Sequence, residues 1–177
     1  MSAVVSRCRA FRYRLERDVG KFGPVYAYFG VNCSTADHQV NDNTVKRWIG
    51  LTKAFGGSRF IVGNAFAFRS PHVKDLDLAL DPVGPENDEY LARIIADAEI
   101  LVPCWGRQAK VPPRLRYRFA EMETMLRASG KPIKVFGLSK SGDPLHPLML
   151  PYSTVLIDWV QARITQASVH FVDAQAH

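Results

Sequence analysis

The sequence predicts an α/β protein of three layers, with helices on both faces of a central, mainly four-stranded parallel sheet and an extra N-terminal strand at its edge. Three observations carry this. Four short runs, 25–31, 59–66, 99–104 and 132–138, are almost continuously apolar, as parallel strands covered on both faces are. Helix-like segments separate them, the alternation that builds a parallel sheet through crossovers. Each run ends in polar or glycine-bearing residues, and open sheets of this class collect ligands outside the carboxyl ends of their strands.

Residues 8–15 alternate, with Phe11, Tyr13 and Leu15 on one side and Arg12 and Arg14 on the other. Period two predicts a half-exposed edge strand whose arginines face solvent. Gly20, Gly23 and Pro24 then mark a turn. Val25 to Val31 is the first core strand, and it runs into a segment dense in hydrogen-bonding groups, Asn32 to Asn43. Asp42 or Asn43 caps a helix from about 44 to 55, with Val45, Trp48, Ile49 and Leu51 spaced for one buried face. Gly56 and Gly57 end it. The second core strand, 59–66, carries a single carboxamide, Asn64, near its end. A buried carboxamide is costly unless paired, so Asn64 either ties down a loop or faces a ligand.

Ser70-Pro71 has the form of a cap and a first helical residue, predicting a short helix to about residue 80. A DPVGPEND turn at 81–88 leads to a helix over 86–98. The third strand, 99–104, is followed by Trp105-Gly106, and Pro112-Pro113 opens a helix to about residue 128. The fourth strand, 132–138, leads into a loop with three prolines and His146, and 154–164 predicts a closing helix.

A chain of 177 residues is of one-domain length, and 47% hydrophobic with 23% charged residues is ordinary for a globular protein. The net charge of +6 favours anionic partners, nucleic acid first. Cys8, Cys33 and Cys104 are odd in number and far apart. No C-x-x-C spacing offers a metal site, so free thiols in a reducing compartment and no cofactor are expected. The N-terminus lacks the apolar core of a secretory signal and no run is long enough to span a bilayer. A cytoplasmic location and no membrane partner are the resulting expectations.

Four segments carry a resemblance. Gly30-Val31-Asn32-Cys33, Phe60 to Phe66 ending Gly63-Asn64-Ala65-Phe66, Leu101 to Ala109 with Cys104-Trp105-Gly106, and His146-Pro147 occur in that order. Together they resemble the landmarks of the uracil-DNA glycosylase superfamily. The resemblance implies that superfamily's fold, with Asn32 in its first motif, Asn64 as the base-reading asparagine, His146 in its His-Pro motif and Leu150 as the residue that wedges DNA. Cys33 stands where the motif has proline, and Leu148-Met149 where it has Ser-Pro. The chain also resembles an uncharacterised bacterial and phage family, a domain of unknown function, marked by N-P-S-T-A-D, a DPVGPEND-like turn and H-P-L-Y-L. Here these read NCSTAD at 32–37, DPVGPEND at 81–88 and HPLML at 146–150.

The residues themselves allow that chemistry. Cleaving an N-glycosidic bond needs a placed water, a stabilised cationic sugar and help for the leaving base. Asn32 has almost no basicity but orients a water, and Asp37 is the nearest carboxylate that could act as base, with Asp42 second. His146 donates to charge developing on the base. Asn64 offers donor and acceptor to a base edge. Ser34, Asn43 and Arg107 are further candidate contacts, Trp48 and Phe66 are candidate stacking surfaces, and Met149 or Leu150 is a candidate wedge. The expected partner is therefore DNA, or a nucleoside or nucleotide. A non-catalytic nucleic-acid or nucleotide-binding protein on the same fold is the alternative. Another α/β enzyme of ester or acyl chemistry is less supported, since no G-x-S-x-G or P-loop is present.

Overall fold

The computed structural model describes residues 2–33 and 42–175. Its α/β architecture is built on a mixed five-stranded sheet. The strands are β1 (Ser2–Val5), β2 (Arg12–Asp18), β3 (Val25–Cys33), β4 (Arg59–Arg69) and β5 (Ile100–Pro103), in spatial order β1-β2-β4-β3-β5. β3 is parallel to both β4 and β5, whereas β2 is antiparallel to β4 and β1 antiparallel to β2.

The expected four parallel strands are therefore three. The fourth run forms only β6 (Lys134–Val135), which pairs with β7 (Ile157–Asp158) in a separate two-stranded sheet and reaches β5 through one parallel bridge, Leu101 to Ile133. Pro132 has no N–H to donate, and Gly137 turns the chain out of the strand at φ +131°. The expected N-terminal edge strand is β2, but β1 covers it, so β2 is an interior strand.

Alternation in the parallel strands sorts the core to the two faces. Tyr26, Tyr28, Phe60 and Val62 pack with Val45, Trp48 and Leu51 of α1 (Asn43–Ala54). Ala27, Phe29, Ile61 and Leu101 pack on the other face with Leu91 and Ile94 of α2 (Asn87–Asp97), Phe119 and Met122 of α3 (Tyr117–Ala128), and Trp159 of α4 (Trp159–Gln175). Asp42 caps α1, its carboxylate accepting from Val45 N at 2.8 Å.

Two predicted helices differ. Ser70 Oγ accepts from His72 N at 3.0 Å, two residues on, in a local turn that competes with a helix cap. Only one 3₁₀ stretch, Val73–Asp77, follows. The closing helix starts at Trp159 because Asp158 Oδ1 accepts from Val160 N at 3.0 Å.

Candidate functional site

The carboxyl ends of β3 and β4 lie side by side, with Gly30 paired to Asn64 and Asn32 to Phe66. Beside them is a cavity of about 150 Å³. β3 and β4 contribute Gly30, Asn32 and Asn64 to its wall, and the start of α1 contributes Asp42, Thr44 and Trp48. His146 reaches it from the loop after β6, and Arg12 from β2. Four expected site residues, Asn32, Trp48, Asn64 and His146, are thus brought to one cavity from four separate parts of the chain.

Gly30 shapes this wall. A Cβ on it would lie 2.6 Å from Asn64 Oδ1, so the carboxamide occupies the space a side chain would fill. Asn64 is 4% exposed. Asn32 Nδ2 donates to Ser70 O at 2.7 Å, which fixes the carboxamide and leaves Oδ1 as its acceptor for a water or ligand. His146 Nδ1 accepts from Leu148 N at 3.3 Å, so the neutral imidazole carries its proton on Nε2. Burial lowers the His146 pKa, and Lys110 adds to this while Asp42 opposes it. The imidazole is therefore a neutral donor at neutral pH.

Arg12 is the residue that sequence reading missed. Predicted to face solvent, it is 4% exposed and lines the cavity. The cause is a bulge: Val4 and Val5 of β1 are adjacent, yet their partners in β2 are Arg14 and Arg12. The extra residue breaks the alternation, and such bulges re-aim side chains. Tyr13 stacks on Tyr90 of α2, Leu15 packs on the α1 face, and Arg12 reaches the cavity lined by α1 residues.

Other candidates separate. Trp48 lines the cavity but stacks on Tyr28 at 5.6 Å and 14°, as a core residue does. Phe66 is 0% exposed and packs edge-on against Phe119, so it does not line the cavity. In a regular strand it would share a face with Asn64. Here the consecutive residues Ala65 and Phe66 both lie in the α2–α3 core, so β4 is kinked between Asn64 and Phe66. Leu150 packs against the α1-side core, while its neighbour Met149 is 88% exposed. Asn43 is exposed at the first turn of α1, and Arg107 is exposed after β5. Ser34 and Asp37 lie outside the described residues.

A larger hollow of about 510 Å³ lies between residues 140–143 and α4. Its Arg163 is held by Glu123 at 2.7 Å and its Gln166 by Ser139 O at 2.7 Å, so these two groups serve the fold. Burial pushes the Cys104 thiol up to about 12, which leaves it unreactive at neutral pH. Among the described residues, no cluster of His, Cys, Asp or Glu could hold a metal, and no helix is long and apolar enough to cross a membrane.

Residues 12–148 match the model of a family described as Protein of unknown function (DUF1643), and the chain belongs to that family. No curated protein and no solved structure matches the chain.

Proposed function

Taking membership of the DUF1643 family as the premise, we propose that this protein recognises a nucleobase and hydrolyses its N-glycosidic bond, as a DNA glycosylase-like enzyme acting on a modified or damaged base. The observation that carries the reading is the cavity formed by Gly30, Asn32, Asn64 and His146. Its volume of about 150 Å³ is below the range of roughly 300–1,000 Å³ usual for drug-sized ligands, which suits a single ring. The arrangement supports a uracil-DNA glycosylase-like use of the sheet, with adjoining parallel strands delivering both asparagines.

In this reading Asn64 pairs with the edge of the base, using the donor and acceptor of its carboxamide. Asn32 Oδ1 orients the attacking water, since its Nδ2 is committed to Ser70 O. His146 donates from Nε2 to the negative charge that grows on the departing base, while its Nδ1, accepting from Leu148 N, holds the ring in that tautomer. Asp42, at the cavity wall, stabilises positive charge on the sugar and is the described carboxylate best placed to receive a proton from water. Met149, 88% exposed beside the His146 loop, enters the space left by an extruded base.

The test is incubation with oligonucleotides carrying uracil and other modified bases, followed by alkali, with free nucleosides in parallel. Strand cleavage at the modified base, or release of base from a nucleoside, is expected. No release from any substrate would reject the hydrolase. The second reading, a non-catalytic nucleic-acid or nucleotide-binding protein, is favoured by one observation: the strand-end residue at the cavity is the amide Asn32, not a carboxylate. It expects salt-dependent binding without cleavage.

A further inference from the structure

We infer that Asn87 and Arg118 are positioning residues for Asn64, and that the Asp81–Asp88 turn works as a backbone clamp beneath the cavity. This rests on reading the cavity as the ligand site.

The turn was conspicuous in the sequence and has no place in the cavity wall. It packs instead on the far half of β4. Ala67 N donates to Val83 O at 3.0 Å and Phe68 N to Pro82 O at 3.2 Å, so the turn is bound to the strand through two consecutive residues. It then delivers Asn87, the first residue of α2, which is 0% exposed. Asn87 Nδ2 donates to Asn64 O at 3.0 Å and also to Ala65 O at 3.2 Å. Consecutive carbonyls of a regular strand point to opposite edges. One amide nitrogen can reach both only where the strand is kinked, and Ala65 and Phe66 sharing one core marks the kink at the same place.

Arg118 closes the clamp from α3. It is buried, and its Nε donates to Ala65 O at 3.0 Å. Its other nitrogens are held by Asp88, from the end of the same turn, and by Glu121 at 3.0 Å. Two buried side chains from two helices therefore grip two successive carbonyls, and the first belongs to Asn64 itself.

The consequence falls on the opposite face of the strand. The backbone direction at Asn64 sets where its Cβ points, and its Oδ1 lies in the gap over Gly30. Relaxing the kink would restore alternation, turn Phe66 toward the α1 side and rotate Asn64 out of that gap. The clamp thus allows one strand to put a carboxamide into a cavity and an aromatic ring into the opposite core only two residues later. Asn87 Oδ1 has no hydrogen-bond partner and is buried. An unpaired buried acceptor is costly, and here it accompanies an amide whose donors are committed to the kink.

The test uses the full chain with Asn87→Asp, which keeps the shape of the side chain and removes the donor, and with Arg118→Lys, which keeps a donor. Asn87→Ser stands in if Asn87→Asp does not fold. The side-chain amide cross-peaks of Asn64, assigned through Asn64→Asp, are followed by NMR. Affinity for free uracil, thymine, cytosine and hypoxanthine is measured by calorimetry below the unfolding range of every variant. Asn87→Asp is expected to move the Asn64 side-chain cross-peaks and weaken binding of the preferred base by about tenfold, the scale of one misplaced hydrogen bond. Arg118→Lys is expected to show a smaller change of the same kind. A clamp that served stability alone would lower Tm and leave both readouts unchanged in the folded variant, and that result overturns the inference. If the wild type binds no base, the reading of the cavity fails, and the Asn64 cross-peaks alone decide the clamp.

Discussion

Gly30 matters for what it leaves out. The contact that a Cβ would make at 2.6 Å is with the movable end of Asn64, and its next nearest neighbour is at 3.8 Å, in the same side chain. Gly30→Ala is therefore expected to leave the fold and Tm nearly unchanged while weakening base binding by about tenfold. Calorimetry on the variant checks this, and wild-type affinity would mean that Asn64 does not touch the ligand. His146 carries a second expectation at this scale. Burial first, and Lys110 second, hold its pKa below the ordinary value of about 6.5, with Asp42 opposing. The unfolded chain then binds the proton first as pH falls. The stability this group contributes is undiminished above about pH 6.5 and is lost as pH falls through that value toward the folded pKa. Between about pH 7.5 and about pH 5.5 the Tm of the wild type is expected to fall further than that of His146→Asn. Parallel curves would show that the imidazole is not held neutral. Asn32, Asn64 and His146 were legible in the sequence because each is a polar residue near or beyond the end of an apolar run, where it stands out. Arg12 was not, because a bulge is a property of strand pairing, and one strand read alone shows only its alternation.

At the scale of elements, the approach of the His146 loop to α1 depends on Gly50. A Cβ there would lie 2.2 Å from a ring carbon of Tyr152, so the ring rests on the helix where a side chain would be. The Arg47 guanidinium covers the same ring at 4.4 Å from its centroid. Glycine inside a helix ordinarily costs up to about 1 kcal/mol relative to alanine. Gly50→Ala is nevertheless expected to lower Tm, because the aromatic ring must leave its seat. In a Tyr152→Ala background the obstacle is gone, and the same substitution is expected to raise Tm. A thermal double-mutant cycle reads the change of sign, and the same sign in both backgrounds would show that Tyr152 does not hold the loop. Element legibility follows the same physics. α1, α2 and α3 announced themselves through periodic apolar residues, and α1 also through its Asp42 cap, whereas Pro112-Pro113 opens a separate 3₁₀ turn over Pro113–Leu115 and α3 begins only at Tyr117. The 71–80 helix did not form because Ser70 spends its hydroxyl on a local turn, and 132–138 narrowed to β6 because its edges carry proline and a left-handed glycine. These outcomes depend on which hydrogen bond wins locally, and a propensity sum cannot decide that.

Over the whole molecule, part of the basic charge sits in the segments that flank the strands. Arg9 lies in the turn beside the end of β4, Lys46 in the first turn of α1 after β3, Arg107 and Lys110 after β5, and Lys140 after β6. All five are exposed, and among the described residues none is in an ion pair. Arg14, Arg93, Arg118, Arg127 and Arg163 are instead committed to carboxylates. Five of the cations without an ion pair therefore flank strand ends, whereas Lys21 before β3 and Lys53 in the last turn of α1, equally without one among the described residues, lie at the other ends of those elements, a division that the total of +6 could not show. A polyanion lying across that rim would displace its own counterions, so its binding should weaken steeply with salt. On a short duplex bearing a modified base, Arg107→Gln and Lys140→Gln are each expected to make the slope of log K against log salt shallower by about 1, with losses similar across sequences. Substituting Lys53, at the far end of α1, should leave the slope unchanged. Equal slopes in the wild type and both rim variants would place the phosphate track elsewhere. A wild-type slope of zero would confine the cavity to free bases or nucleosides, because a phosphate-bearing ligand must release ions when it binds.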